Sequence, residues 1–263
     1  MTAAAARRSL VGMRGLPALT AVEAKLFLRD LGSVFFVLFF PVILLLGMGL
    51  AIPGMRDPVP GLPGQWHGLR AIDLFTPMML CVAAATAGLT TVPSYLASYR
   101  ETGVLRRMST TPMRPQGVLI AQGIVQLVGV VVGSGLTLVF GVLAFGTRMP
   151  QRPVLAAVVF VMAICAMFGV GVLIGGLAPK GATASGIGML VYFPMLFMAG
   201  LWTPGPLMPD SVEVIATYVP LGAAAQAMNA AWFGLGTPWL QLVVMVAWTV
   251  LLFALAARTF RWD

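Results

Sequence analysis

Charged residues interrupt this chain at few points and leave long apolar runs between them. Six windows hold no Asp, Glu, Lys or Arg: residues 31–55, 74–99, 115–147, 153–179, 181–209 and 214–257. A helix of about 20 apolar residues crosses a bilayer, so each window has room for one span. The runs predict spans at Val34–Ile52, Leu74–Leu96, Val118–Phe145, Val154–Leu177, Gly186–Trp202 and Leu240–Ala257. The first run is too long and starts too late for a cleaved signal sequence, whose apolar core is about 7–15 residues, so it reads as an uncleaved span. Ahead of it, residues 1–15 read as a flexible basic arm and 17–31 as a helix opened by Pro17. One face of that helix carries Leu16, Ala24, Phe27, Leu28 and Leu31, and Lys25 and Arg29 share another, although Leu19, Val22 and Leu26 blur the pattern. It is expected to lie along the membrane surface; the alternative is a plain extension of the first span.

The pattern changes once more before the last span. Residues 203–239 contain no Lys or Arg and are too apolar for an ordinary exposed loop. Asp210 and Glu213 have capping-box spacing, which predicts a helix from Ser211. Pro220 breaks it, and Leu221–Phe233 can form a second. The segment therefore reads as two short helices dipping back into the outer leaflet, where irregular backbone survives only when covered by protein or water. The fifth span carries Pro194, which should kink it. The fold class expected is all-α and polytopic: residues 1–33 as arm and surface helix, 34–263 as a six-helix membrane domain.

Composition agrees. The 263 residues are 59% hydrophobic and 9% charged, against about 25% charged in soluble domains. Lys and Arg number 16 against 8 Asp and Glu, a net +8. In a membrane chain this excess marks the cytoplasmic side rather than a nucleic-acid surface. With the N-terminus inside, the inner segments hold twelve basic residues: Arg7, Arg8, Arg14, Lys25, Arg29, Arg100, Arg106, Arg107, Arg114, Lys180, Arg258 and Arg261. The outer segments hold four, Arg56, Arg70, Arg148 and Arg152. Both termini are therefore expected in the cytoplasm.

Much chemistry is excluded. The six proposed spans carry no ionisable Asp, Glu, Lys, Arg or His, which counts against proton coupling and voltage sensing. It counts less against a sodium-coupled carrier, whose site could be backbone carbonyls. One His and two Cys, His67, Cys81 and Cys165, cannot assemble a zinc or haem site. His67 beside Trp66 reads as an interfacial anchor. No phosphate-binding G-x-x-x-x-G-K-[ST] motif occurs, so ATP-driven work needs a second polypeptide.

Candidate chemistry lies in the inner loop Tyr99–Gln116, YRETGVLRRMSTTPMRPQ. Arg100, Glu101, Arg106 and Arg107 fit on a short helix with Val104, Leu105 and Met108 as its apolar side, stopped by Pro112 and Pro115. On physics alone it is either a handle that docks a soluble partner or an ordinary basic loop, and the second is simpler. The loop resembles the signature of the type-2 permeases of ATP-binding-cassette (ABC) transporters, through Glu101, Gly103, Leu105, Arg107, Thr111 and Pro112. Gly200, Pro204, Pro209 and Pro220 follow that group's order after span five. Within the group the chain is most similar to bacterial daunorubicin-resistance permeases.

The resemblance implies an exporter subunit in the bacterial cytoplasmic membrane. Residues 100–112 would form a coupling helix seated in a cassette ATPase, and 178–185 a lesser contact. Two ATPases would bind the ATP and magnesium, two permeases, identical or sister chains, would complete the unit, and this chain would bind no cofactor. Helices two and five would line the substrate path, with Met78, Thr86, Thr90, Met189, Phe193 and Phe197 as candidates. Soft, Met-rich walls suit varied lipophilic guests, but hydroxyls such as Thr86 and Thr90 also bond back to their own helix. Two GxxxG pairs, Gly129–Gly133 and Gly171–Gly175, signal close packing, within the chain or at a dimer seam. A secondary carrier and a non-transporting scaffold are the rival classes.

Overall fold

The computed structural model describes residues 15–62, 64–104 and 116–259; residues 1–14 of the expected basic arm fall outside these. Nine helices follow one another among the described residues. They are α1 (Leu16–Arg29), α2 (Leu31–Ala51), α3 (Ala71–Glu101), α4 (Gln116–Phe145), α5 (Pro153–Leu177), α6 (Gly181–Ala199), α7 (Asp210–Tyr218), α8 (Pro220–Phe233) and α9 (Trp239–Thr259). Six of them, α2 to α6 and α9, are long and apolar enough to cross a membrane. The fold is an all-α, polytopic bundle. Its basic side carries α1, the end of α3 and the α5–α6 turn. The opposite side carries α7 and the loop before α3.

The bundle is built around α3, which is buried along its whole apolar window, whereas α2, α4, α6 and α9 keep outward apolar faces. The same local device seats two helices. In α3 a π-helical turn, Ala87–Thr91, precedes Pro93, and in α2 a π turn, Phe35–Phe39, precedes Pro41. Proline has no N–H, so the carbonyl four residues back loses its helical donor. That carbonyl is Leu89 in α3 and Val37 in α2. Each faces a glycine of the neighbouring helix so closely that a Cβ there would overlap the oxygen: Gly188 of α6 and Gly133 of α4. Such approaches allow Cα–H···O contacts. Gly171 sits in the same way against the carbonyl of Gly88, and an added Cβ on Gly175 would lie 3.0 Å from the carbonyl of Pro93. Both GxxxG pairs thus pack within the chain.

Several expectations shift in detail. α3 begins three residues earlier than the apolar run suggested and takes in Asp73, which is 2% exposed and paired with Arg70 at 2.8 Å. An ionisable group is therefore tolerated at that helix end because its charge is matched on the spot. Arg70 also donates to the carbonyl of Phe145 at 2.9 Å, closing the end of α4. On α1 the protein-facing residues are Glu23 and Phe27, while Leu28, and Leu31 at the start of α2, point outward at 63% and 80% exposure. The apolar face assigned from sequence is thus divided between protein and surroundings.

α7 starts at Asp210 without a capping box. The carbonyl of Pro209 accepts from the N–H groups of Val212 and Glu213 instead, at 2.9 and 3.0 Å. Pro220 opens α8 as its first residue, where its missing N–H costs nothing. α8 is buried almost throughout and packs among α3, α5, α6 and α9. Protein covers it, which satisfies the condition for backbone returning into the membrane layer. The Trp66 ring lies 5.2 Å from that of Phe233 at the end of α8.

Candidate functional site

The last two turns of α3 gather four other elements. Tyr95 donates to Asp30 at 2.8 Å, and Tyr99, one turn on, donates to Glu23 at 2.6 Å. The spacing explains the match: residues four apart share one helix face. Asp30 is the joint between α1 and α2. It also accepts from Ser33 Oγ at 2.6 Å and from the N–H groups of Gly32 and Ser33. Burial alone would raise the Asp30 pKa, but the bonds from Ser33, Tyr95 and the Gly32 and Ser33 backbone outweigh it and hold the group below its ordinary value. Glu23 is raised, because burial penalises its charge more than the Tyr99 hydrogen bond relieves it.

The next two residues reach the other way. Arg100 donates to the carbonyls of Gly175 and Gly176, the last turn of α5. Glu101 accepts the N–H of Gly181, the first residue of α6, at 3.1 Å. Helix C-termini leave carbonyls unpaired and N-termini leave N–H groups unpaired. A cation and an anion are the complementary partners for the two ends of the dipole. Consecutive residues of opposite charge therefore staple α3 to both sides of the α5–α6 turn. Gly103 then ends the helix with φ +66°, a conformation open to glycine at little cost.

Arg100, Glu101 and Gly103 thus stand at the root of the inner loop, with Arg100 and Glu101 engaged inside the chain. Leu105, Arg106, Arg107, Thr111 and Pro112 lie outside the described residues. No sequence argument singled out Glu23, Asp30, Tyr95 or Tyr99. Two tyrosines four apart at the polar end of an apolar helix were the available signal, but their partners are more than sixty residues away.

Beside these contacts a cavity of about 680 Å³ opens between the α1–α2 joint, α3 and α6. Hydroxyls line much of it, from Ser33, Thr90, Ser94, Tyr95 and Ser185, together with Arg29 and Asp30. A polar group carried by an otherwise apolar molecule fits such a surface. The other path candidates are scattered. Met78 is buried in the core, and Thr86 is buried with its hydroxyl bonded to the Val82 carbonyl at 2.8 Å and to Tyr192 at 2.7 Å. Thr90 lines the cavity, though its hydroxyl also reaches back to the Thr86 carbonyl at 2.6 Å. Met189 is partly buried against the core. Phe193 and Phe197 lie on an outward apolar stripe of α6 with Leu190, at 58%, 43% and 75% exposure. Of the second group, Gly200 ends α6 with φ +91°, Pro204 and Pro209 precede short helical turns, and Asp210, Glu213 and Pro220 belong to α7 and α8 as described.

A family model described as ABC-2 type transporter matches residues 15–233. This chain belongs to the ABC-2 type transporter family. It is accordingly a multi-pass membrane component, the permease subunit, of an ABC-type transporter. The match starts at α1 and runs to the end of α8, so the stapled end of α3 and both short helices lie inside it. No curated protein matches this ABC-2 permease.

Proposed function

We propose that this permease is the export channel of an ATP-driven system that moves a lipophilic drug, antibiotic or lipid outward across a bacterial cytoplasmic membrane. Both termini and the basic side face the cytoplasm, following the positive-inside distribution. A separate cassette ATPase, in two copies with ATP and magnesium, docks on residues 100–112, and a second permease chain, identical or sister, completes the assembly. The observation that carries the reading is the stapling of α3. Its basic end is bonded to α1, to the α1–α2 joint, to α5 and to α6, so a push on the following loop moves these elements together. The hydroxyl-lined cavity at that end supplies a place for the substrate's polar group. The outward stripe of Leu190, Phe193 and Phe197 supplies an apolar surface for a partner permease or for lipid.

The test is a mild-detergent pull-down of tagged chain from its native membrane, with mass spectrometry of the eluate. A stoichiometric cassette ATPase is expected, and charge reversal at Arg106 and Arg107 should weaken its association without unfolding the permease. A folded chain with no ATPase would shift the reading to a carrier or scaffold.

A further inference from the structure

On the side opposite the staple, a second cavity of about 490 Å³ lies between the loop before α7, α7, α8 and the start of α9. Its polar lining comes from Glu213, Gln226, Asn229 and Gln241, and its walls from Trp66, Met198 and Met208. Gly205, at φ +54°, carries the loop close enough that an added Cβ would lie 3.6 Å from the Trp66 ring and 3.7 Å from Asn229 Nδ2.

The hydrogen-bond accounting of this lining is unequal. Gln226 is held in place: its Oε1 accepts from Thr217 at 2.9 Å and from Gln241 Nε2 at 3.1 Å, and its Nε2 donates to the Glu213 carbonyl at 3.0 Å. The unspent groups include three acceptors, the Glu213 carboxylate, Gln241 Oε1 and Asn229 Oδ1, beside the donors Asn229 Nδ2 and Thr237 Oγ1. Asn229 is 8% exposed and its Oδ1 has no partner, which leaves a buried acceptor unsatisfied. Among the described residues no Lys, Arg or His lines the cavity. A pocket with unpaired acceptors, one formal negative charge and no basic side chain, walled by an indole and two thioethers, is complementary to an organic cation that brings its own donors.

We propose that this cavity is a binding site for a primary organic ammonium group attached to an apolar or aromatic body. Glu213 supplies the counter-charge, Asn229 and Gln241 accept from the ammonium hydrogens, and Trp66 covers the body. The ammonium is either that of a free amine or that of a phosphatidylethanolamine headgroup. Its part in transport rests on the permease reading above; binding itself does not involve an ATPase.

The experiment titrates phenethylammonium against the full chain in phosphatidylglycerol nanodiscs, followed by saturation-transfer NMR, with uncharged 2-phenylethanol as comparison. Phenethylammonium should bind at least tenfold more tightly than the alcohol. Glu213→Gln should remove that preference, and Asp210→Asn, on the same helix but outside the lining, should leave it intact. Glu213 is exposed at the rim, so its replacement does not threaten the fold. Repeating the titration in phosphatidylethanolamine nanodiscs separates the sources: a weaker apparent affinity assigns the site to the headgroup, and an unchanged one to free amines. Equal binding of amine and alcohol, no binding of the amine, or an unaltered Glu213→Gln variant would overturn the proposal. Binding by a chain that captures no ATPase would leave this site standing and remove only the transport reading.

Discussion

Replacing Arg100 with Met separates a structural cap from a transmitting link. The guanidinium makes one close bond, to the Gly176 carbonyl, and reaches that of Gly175 only at 3.5 Å, so it counts as a single charge-assisted bond of about 1.5–3 kcal/mol net. Its position at a helix C-terminus adds about 0.3–1 kcal/mol. Against this, Arg100 Nε is buried without a partner, and removing it recovers about 1–3 kcal/mol. Methionine keeps most of the apolar stem. The balance for Arg100→Met is therefore small, about 1 kcal/mol of lost stability, or roughly a fivefold change in the folded ratio. Loss of coupling should be much larger than that, because among the described residues no other contact ties the end of α3 to the end of α5 through a charge. The assay reconstitutes the permease with its ATPase and measures substrate moved per ATP hydrolysed, alongside denaturant unfolding of the permease alone. Substrate moved per ATP should fall several-fold while the unfolding midpoint moves little. Arg100→Lys should be intermediate, since an ammonium is a point donor and lacks the planar fork. Unchanged coupling in Arg100→Met, with the protein folded, would refute the idea that this residue transmits force.

The proline-freed carbonyls make a sharper stability test. Gly188→Ala and Gly133→Ala place a Cβ on the carbonyls of Leu89 and Val37 and should each cost at least about 1–3 kcal/mol. Gly186→Ala, where a Cβ meets nothing within 4 Å, should instead stabilise by up to about 1 kcal/mol; equal effects at 186 and 188, read from unfolding midpoints, would defeat the packing argument. Glu23 and Asp30 should give opposite pH slopes. Because the folded-state pKa of Glu23 is raised, stability falls as pH climbs from its ordinary 4.5 toward the raised value. Asp30 is lowered, so its contribution is present above 3.8 and lost as pH falls toward the depressed value. Glu23→Gln should flatten the first slope and Asp30→Asn the second, measured as melting temperature against pH. Gln126, fully buried in α4 with neither amide atom paired, should tolerate Leu with equal or higher stability; a large loss would mean that a bound water satisfies it.

The membrane architecture was legible because burial in lipid is a property summed along the chain. A run such as Val154–Leu177 declares a helix whatever surrounds it, and the observed α5 differs by one residue. Pro220 and the charge-poor stretch around it marked the short helices for the same reason: a breaker inside an apolar segment has few outcomes. Family membership also lay near the surface, in the order of Glu101, Gly103 and the later prolines. What the sequence left open were relations between distant residues. Arg100 and Glu101 read as docking charges or as part of an ordinary basic loop, and only the placement of Gly176 and Gly181 beside them shows that they cap helix ends. Tyr95 and Tyr99 became partners of Asp30 and Glu23 only when α1 folded across α3. The second cavity joins Trp66, Glu213, Asn229 and Gln241 from four separate segments. Hydrophobicity is carried by each residue on its own and survives reading in one dimension. Hydrogen bonds are directional and short, so which donor meets which acceptor is decided only when helices pack within a few ångströms.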